Sequence, residues 1–484
     1  MLEDLMRERI TKLERYKKSA DPYPARIKRT ASINEAVSAF PKFERSKKIL
    51  WLAGRVMALR IQGGIVFGDL KDESGRIQLI LKNGDTKNFD LLKETLDIGD
   101  FIGISGKLMK TKKGEKSIFA KEAWIISKGL RPLPQEWFGL ENIETRLRKR
   151  YLDTILNQET VEIFRKKAIF WKMVRDYLEE EGFLEVEAPV LEGLPGGAEA
   201  EPFITHHNAL DRNFFLRISL ELPLKKMLVG GFEKVFEIGR VFRNEGIDAE
   251  HLQDYTQMEF YWAYADYREL MKFLEKMFRA VIKKTFKTLK IKSHGFEADW
   301  GKKWKMYDYY ELFVKNAGLD LRKTSDADLR KKADGLGLKY EKNAQRGRLI
   351  DLIYKKTVRP KLMEPGFLVN PPVEIEPLAK RLPEDPSRVE RLQIVAYGTE
   401  LGKGFSELND PIDQRKRFEE QMALREKGDK EAQYLDEDFL EALEYGMPPA
   451  AGFGMSERFF SILLDRPIRE TVIFPLMRQE DKNK

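Results

Sequence analysis

The chain has 484 residues, long enough for more than one domain. Lys plus Arg number 87 against 79 Asp plus Glu, a net charge of +8 that favours a polyanionic partner without requiring one. Cysteine is absent, which excludes disulfides, thiolate zinc sites and cysteine nucleophiles. The four histidines, His206, His207, His251 and His294, make a histidine-based metal site or triad hard to build, so any chemistry must rest on carboxylates, arginines and backbone groups.

Taken in chain order, residues 1–20 read as a basic helix ending at Asp21-Pro22. The charged start lacks the apolar stretch of a signal peptide, and no run reaches the length of a membrane span, so the expectation is a cytoplasmic protein with no membrane partner. Between 50 and 128, WLAGRVMALRI, IVFGDLKD, RIQLILK, FIGISGKLMK and KSIFAKEAWIIS read as five strands separated by glycine turns. Five such strands suit a small oligonucleotide-binding (OB) barrel, although any small β-barrel fits the pattern equally well.

RPLPQEWFG (131–139) punctuates the chain as a linker, and 142–182 reads as long helices with apolar Ile163, Phe164, Ile169, Phe170, Val174 and Tyr177. Strands and helices mix from there on. LRISL, KVFEIGRVF, YTQMEFYWAY, RLQIVAY and GFSEL are the strand candidates, several carrying charges suited to a binding floor. Residues 280–370, Lys-rich and helical with glycine interruptions, read as an insertion, a lid or surface module. The expected division is 1–130 for helix and barrel, 131–150 for a hinge linker, and 151–484 for a second, larger domain. The fold class is α+β, with antiparallel strands flanked by helices in the larger domain.

The segment FEIGRVFRNEGIDAEHLQDYTQMEFYWAYADY (236–267) holds the densest chemistry. Arg243 follows an apolar strand, Asn244-Glu245-Gly246 turns the chain, and a returning strand sets Glu259 and Tyr261 on one face by period two. An arginine fork suits a phosphate and Tyr255 could cover a base. On composition alone, an ion-paired surface hairpin explains the same residues.

FRNEG followed by H-x-x-x-Y-T-x-M-E-F-Y resembles the second signature motif of class II aminoacyl-tRNA synthetases, in its lysine-specific form. GFLEVEAPVL (182–191) resembles the first motif, whose Pro189 ends a dimer-forming strand. The stretch 196–231 is similar to the amino-acid-binding segment. GKGFSELNDPIDQRKRFEEQ (402–421), EYGMPPAAGFGMSERF (444–459), IRETVIFPLMR (468–478) and RYLD (150–153) match the family in order. The resemblance implies an OB-fold anticodon reader joined to a class II catalytic domain. It also implies ATP as substrate, Mg2+ as cofactor, L-lysine and tRNA(Lys) as partners, and a symmetric homodimer.

Carried over by position, Arg243 would hold the α-phosphate of ATP and the lysine carboxylate. Glu245 would accept from the adenine amino group, His251 would face the distal phosphates, and Tyr255 and Arg458 would sandwich adenine. Glu400 would help hold magnesium. Gly197 and Glu221 would meet the α-amino group. Glu259, Tyr261 and Glu407 would meet the side-chain ammonium, with Phe405 along the methylenes. In the barrel, Phe67 and Gln78 would stack on and hydrogen-bond the central anticodon base, with Arg60 nearby.

Elementary electrostatics agrees with that resemblance. Free lysine carries two ammonium groups and one carboxylate, so a selective pocket needs acids at both ends and a cation near the middle. A buried acid facing no ammonium is left uncompensated, which rejects neutral or shorter guests. Attack of a carboxylate on the α-phosphorus asks for positioning and charge neutralisation rather than a catalytic base.

Four departures from the family stand out. Gln393 occupies the place of a second magnesium-binding glutamate. Lys403 replaces an asparagine, and could pair with the lysine carboxylate or a phosphate. Leu252-Gln253-Asp254 replaces N-P-E, and GFGMSER carries Glu457 for Asp and is one residue short. H-L-x-x-Y-T-Q is also similar to the aspartate- and asparagine-specific relatives, but Glu221, Glu259 and Glu407 together would repel a carboxylate side chain.

Overall fold

The computed structural model describes residues 2–134, 142–246, 251–341, 344–426 and 432–478. They form two compact units, divided between 141 and 142.

In the first unit, five strands, β1 (Leu50–Gln62), β2 (Ile65–Lys71), β3 (Arg76–Lys82), β4 (Phe101–Lys110) and β5 (Lys116–Ser127), close into a barrel of order β1-β2-β3-β5-β4. Period-two alternation sends Leu52, Val56, Val66, Leu70, Ile77 and Leu79 inward to a single core. The helix Leu2–Lys17 is pinned to it by two polar anchors. Tyr16 Oη accepts the Ile125 amide at 2.9 Å, and the Arg9 guanidinium donates to the carbonyls of Gly129 and Ile98.

The second unit is built on an eight-stranded sheet. Its strands are β6 (Leu184–Glu185), β7 (Lys234–Phe242), β8 (Asp254–Ala263), β9 (Lys305–Asp308), β10 (Gly366–Val369), β11 (Arg391–Ala396), β12 (Thr399–Ser406) and β13 (Ala450–Ser456). Their order is β9-β10-β11-β12-β13-β8-β7-β6, antiparallel except for the outermost pair at each edge. One face carries Met258, Phe260, Ile394, Phe453 and Met455, which pack with Phe170, Val174, Phe273 and Phe278 of the long helices Gln158–Glu180 and Tyr267–Phe286. The opposite face is left for polar residues.

Three expectations change. The linker expected over 131–150 is partly helical: Ile143–Arg148 and Arg150–Leu156 belong to the second unit, held by Arg146 and Arg150 on the buried Asp153 carboxylate, while 135–141 lie outside the described residues. LRISL is not one strand. Arg212–Leu216 ends there because Ser219 and the Leu220 amide turn aside to bind Glu259. The segment 280–370 is not wholly an insertion, since β9 and β10 are strands of the central sheet; between them, helices Tyr309–Ala317, Asp326–Gly335 and Arg346–Thr357 enclose a separate apolar cluster around Phe313, Leu329, Leu349 and Ile353.

Candidate active site

The polar face of the sheet floors a cavity of about 1450 Å3. On β8 the alternation predicted from sequence brings Tyr255, Gln257, Glu259 and Tyr261 to this face. Opposite Glu259 and Tyr261, β13 presents Gly454 and Gly452. A Cβ on Gly452 would lie 2.5 Å from Tyr261 Cδ1 and would also press on Glu407 Oε1, so these glycines make room for the functional side chains. On β12, Leu401 is an extra residue in the pairing with β11, which runs Ile394 to Gly402 and then Val395 to Glu400. That bulge resets the alternation, so Glu400 shares the cavity face with Lys403 and Phe405 instead of opposing them.

Four buried carboxylates surround one end of the cavity. Glu259 is saturated: Ser219 Oγ (2.9 Å), the Leu220 amide (3.0 Å), Gln257 Nε2 and Tyr261 Oη (2.9 Å) all donate to it. Glu221 and Glu407 share one cation, the fully buried Lys225 ammonium, 2.6 Å from Glu221 and in contact with Glu407. Burial pushes Glu221 up to about 7 and Glu407 well above the ordinary carboxylate range, with Lys225 opposing both. Burial would lower Lys225, but its two carboxylates outweigh that and hold it at about 12. The physical content is a charge mismatch: two buried acids face one ammonium. Glu376, the fourth acid, behaves otherwise; burial would raise it, but Lys403 at 3.1 Å and Arg391 at 3.2 Å hold it below the usual range.

Of the residues singled out from sequence, Gly197, Glu221, Arg243, Glu245, Tyr255, Glu259, Tyr261, Gln393, Glu400, Lys403, Phe405 and Arg458 all line this one cavity. Gly197 adopts φ +78°, and a Cβ there would lie 2.9 Å from Glu221 Cβ, so a side chain is excluded on both counts. Arg243 Nε donates to the Ile218 carbonyl at 3.3 Å, with its guanidinium 5.6 Å from the Tyr255 ring centre. Burial pushes the Tyr255 phenol up to about 12, Arg243 opposing, so the ring is neutral. Arg458 is steadied by Thr399 Oγ1 at 2.9 Å.

Three placements correct the expectation. His251 is exposed and does not line the cavity; Leu252 tucks into the apolar cluster behind it, and Gln253 turns back to donate to the carbonyls of Glu245 and Gly246. Glu407 lies under Gly452 rather than on the cavity wall, its carboxylate engaged by Lys225. Gln393 directs its amide oxygen to Arg391 (3.0 Å), so that oxygen is committed. Among the described residues no group of three or more His, Asp or Glu is arranged to hold a metal. Glu400 is thus the carboxylate that fits a Mg2+ ligated mainly by phosphate and water oxygens.

The Glu457 departure has a structural use. Its buried carboxylate accepts the Thr256 amide and pairs with Lys167 of the long helix Gln158–Glu180. Sequence reading missed Lys225, Glu376 and Arg391. For Lys225 a signal existed: Glu221 and Lys225 are four apart on the helix Glu221–Val229, the spacing of a helical ion pair.

In the barrel, Phe67 and Gln78 are half-buried on the outer face and Arg60 is exposed, its guanidinium 5.4 Å from the Phe67 ring centre. Phe67 is therefore not a core residue. Gln78 Oε1 accepts from Ser117 Oγ at 2.7 Å, which leaves its amide NH2 unaffected by that bond.

A cavity-faced antiparallel sheet with an arginine, an aromatic shelf and buried acids, in a chain that also carries an OB barrel, defines a class II aminoacyl-tRNA synthetase. Residues 142–478 match the family described as tRNA synthetases class II (D, K and N), and residues 50–126 match the OB-fold nucleic acid binding domain. The chain is 43% identical to the lysine–tRNA ligase of Moorella thermoacetica, covering 99% of both chains. It is 42% identical to those of Roseiflexus castenholzii and Carboxydothermus hydrogenoformans, over 99% of this chain and 100% and 99% of theirs. The chain belongs to the lysine–tRNA ligase family.

Proposed function

We propose that this chain activates L-lysine with ATP to lysyl-adenylate, releasing pyrophosphate, and then transfers the lysyl group to the 3′ end of tRNA(Lys). The observation that carries the reading is the charge mismatch under the cavity: Glu221 and Glu407 share a single ammonium, with Glu259 alongside. A cationic guest supplies the missing charge. An anionic side chain would enter against it, at a cost of several kcal/mol.

In this reading Arg243 and the Tyr255 ring hold the α-phosphate and adenine, with Arg458 over the other face of the base. Phe405 packs along the lysine methylenes. Glu400 would hold Mg2+ against the phosphates; the ion supplies charge neutralisation there. No acid–base catalyst is called for, which suits a cavity without cysteine or lining histidine. The outer face of the barrel, through Phe67, Gln78 and Arg60, takes the anticodon.

The reading includes a cytoplasmic homodimer. Ile169, Leu184, Val190 and Leu191 are exposed along the helix before the first motif and the segment after it, which favours an apolar contact there. Sedimentation as a dimer supports this, and a monomer at micromolar concentration refutes it. Among the described residues no helix is long and apolar enough to cross a membrane.

The central test is ATP–pyrophosphate exchange without tRNA. Lysine should drive it; exchange driven instead by aspartate or asparagine, or by no amino acid, overturns the proposal.

A further inference from the structure

We propose that Lys403, held by Glu376, supplies as a side-chain ammonium the charge that a second divalent cation would otherwise bring to the nucleotide phosphates. The inference rests on the proposed function above and deepens it.

Gln393 and Lys403 are direct cross-strand partners on β11 and β12 and face the same cavity. Relative to the family pattern, Gln393 removes a carboxylate and Lys403 adds an ammonium. Together the two departures raise the local charge by two units, the charge of one divalent ion. A site altered in this way repels a second Mg2+ and no longer needs it.

The surroundings hold the substitute in place. Glu376 is buried and accepts from Lys403 through both oxygens, at 3.2 and 3.1 Å. Arg391 bridges the group, pairing with Glu376 and donating to Gln393 Oε1. Lys403 keeps nearly half its side chain exposed, so the ammonium is anchored on one side and open to the cavity on the other. Glu400, brought to the same face by the bulge, remains as the one carboxylate of this group not tied to Lys403 or Arg391 in an ion pair between described residues. A purely structural ion pair would not require the loss of the acid at 393, whereas replacement of an ion requires both changes.

The test is equilibrium binding of ATP to the full chain without lysine, measured by calorimetry across a series of free Mg2+ concentrations. The slope of log affinity against log free Mg2+ counts ions taken up with the nucleotide. Lys403→Met should weaken ATP binding roughly tenfold or more, the loss of one charge-assisted contact. The double variant Gln393→Glu with Lys403→Asn should bind ATP with a slope steeper than wild type by one ion. Lys403→Arg, which keeps the charge, should retain the wild-type slope and checks that position 403 tolerates substitution. Equal slopes for wild type and the double variant, or unchanged affinity in Lys403→Met, overturn the inference. Either result alongside intact lysine-dependent exchange leaves the proposed function standing, whereas loss of exchange in the wild type removes both.

Discussion

Replacing Glu407 by Gln separates stability from substrate binding, because the two should move in opposite directions. In the empty pocket Glu221 and Glu407 compete for the single Lys225 ammonium, and Glu407 Oε1 accepts no hydrogen bond from a described residue. Glu407→Gln removes one buried charge at nearly constant volume and leaves a one-to-one pair between Lys225 and Glu221. The melting temperature of the unliganded protein should hold or rise. Lysine binding should suffer, since the guest ammonium loses an ionised partner. A hydrogen bond to a charged group contributes about 1.5–3 kcal/mol. The KM for lysine in ATP–pyrophosphate exchange should therefore rise roughly ten- to 150-fold, with the KM for ATP nearly unchanged. A lysine KM within twofold of wild type, or a melting temperature several degrees lower, would show that the mismatch is not what selects the guest.

The same mismatch predicts a pH dependence. Glu221 is raised to about 7, so it favours the empty fold below its unfolded value near 4.5, and that contribution is lost as pH rises through about 7. Lysine should restore it, giving a larger thermal shift at pH 8 than at pH 5.5 and proton release on binding, seen as buffer-dependent heats in calorimetry; buffer-independent heats across this range contradict it. Lys225→Met leaves two buried carboxylates unpaired and should cost about 3–5 kcal/mol of stability, partly recovered in the double variant with Glu407→Gln, as read by denaturant melts. Gly452→Ala, whose Cβ meets Tyr261 and Glu407, should raise the lysine KM sharply while tRNA affinity, read by filter binding, stays constant. Phe67→Ala should weaken tRNA affinity by about 1–3 kcal/mol without touching lysine-dependent exchange, because the ring is on the barrel's outer face.

Much of this architecture is visible in residue order. The five barrel strands and the hairpin of β7 and β8 follow from period-two patterns and glycine turns, which are local signals. Glu259 and Tyr261 share a face for the same local reason. What local pattern misdescribes is instructive. β9 and β10 were hidden in a Lys-rich helical stretch because each is only four residues long and earns its place by pairing across the sheet, not by its own periodicity. His251 kept its motif position but not the expected site, because the neighbouring Leu252 and Gln253 steer the backbone toward an apolar cluster and two carbonyls.

The departures at 393 and 403 were legible singly and not as a pair. Ten residues apart, an amide for an acid reads as a weakened metal site, and a lysine for an asparagine as an extra charge. Only the register that sets Gln393 opposite Lys403, and the fold that returns Glu376 from another segment beneath them, makes the two changes one event. If they are one event, reverting either alone should be worse than reverting both. Gln393→Glu by itself would place a second acid beside Glu376 within reach of the same ammonium, drawing Lys403 away from the phosphates. Lys403→Asn by itself would leave the phosphates without either cation. ATP affinity at fixed free Mg2+ should fall in each single variant and recover in the double, a coupling of the sign that independent sites do not give. Additive losses would mean that the two residues arose for unrelated reasons and that Lys403 belongs to Glu376 alone.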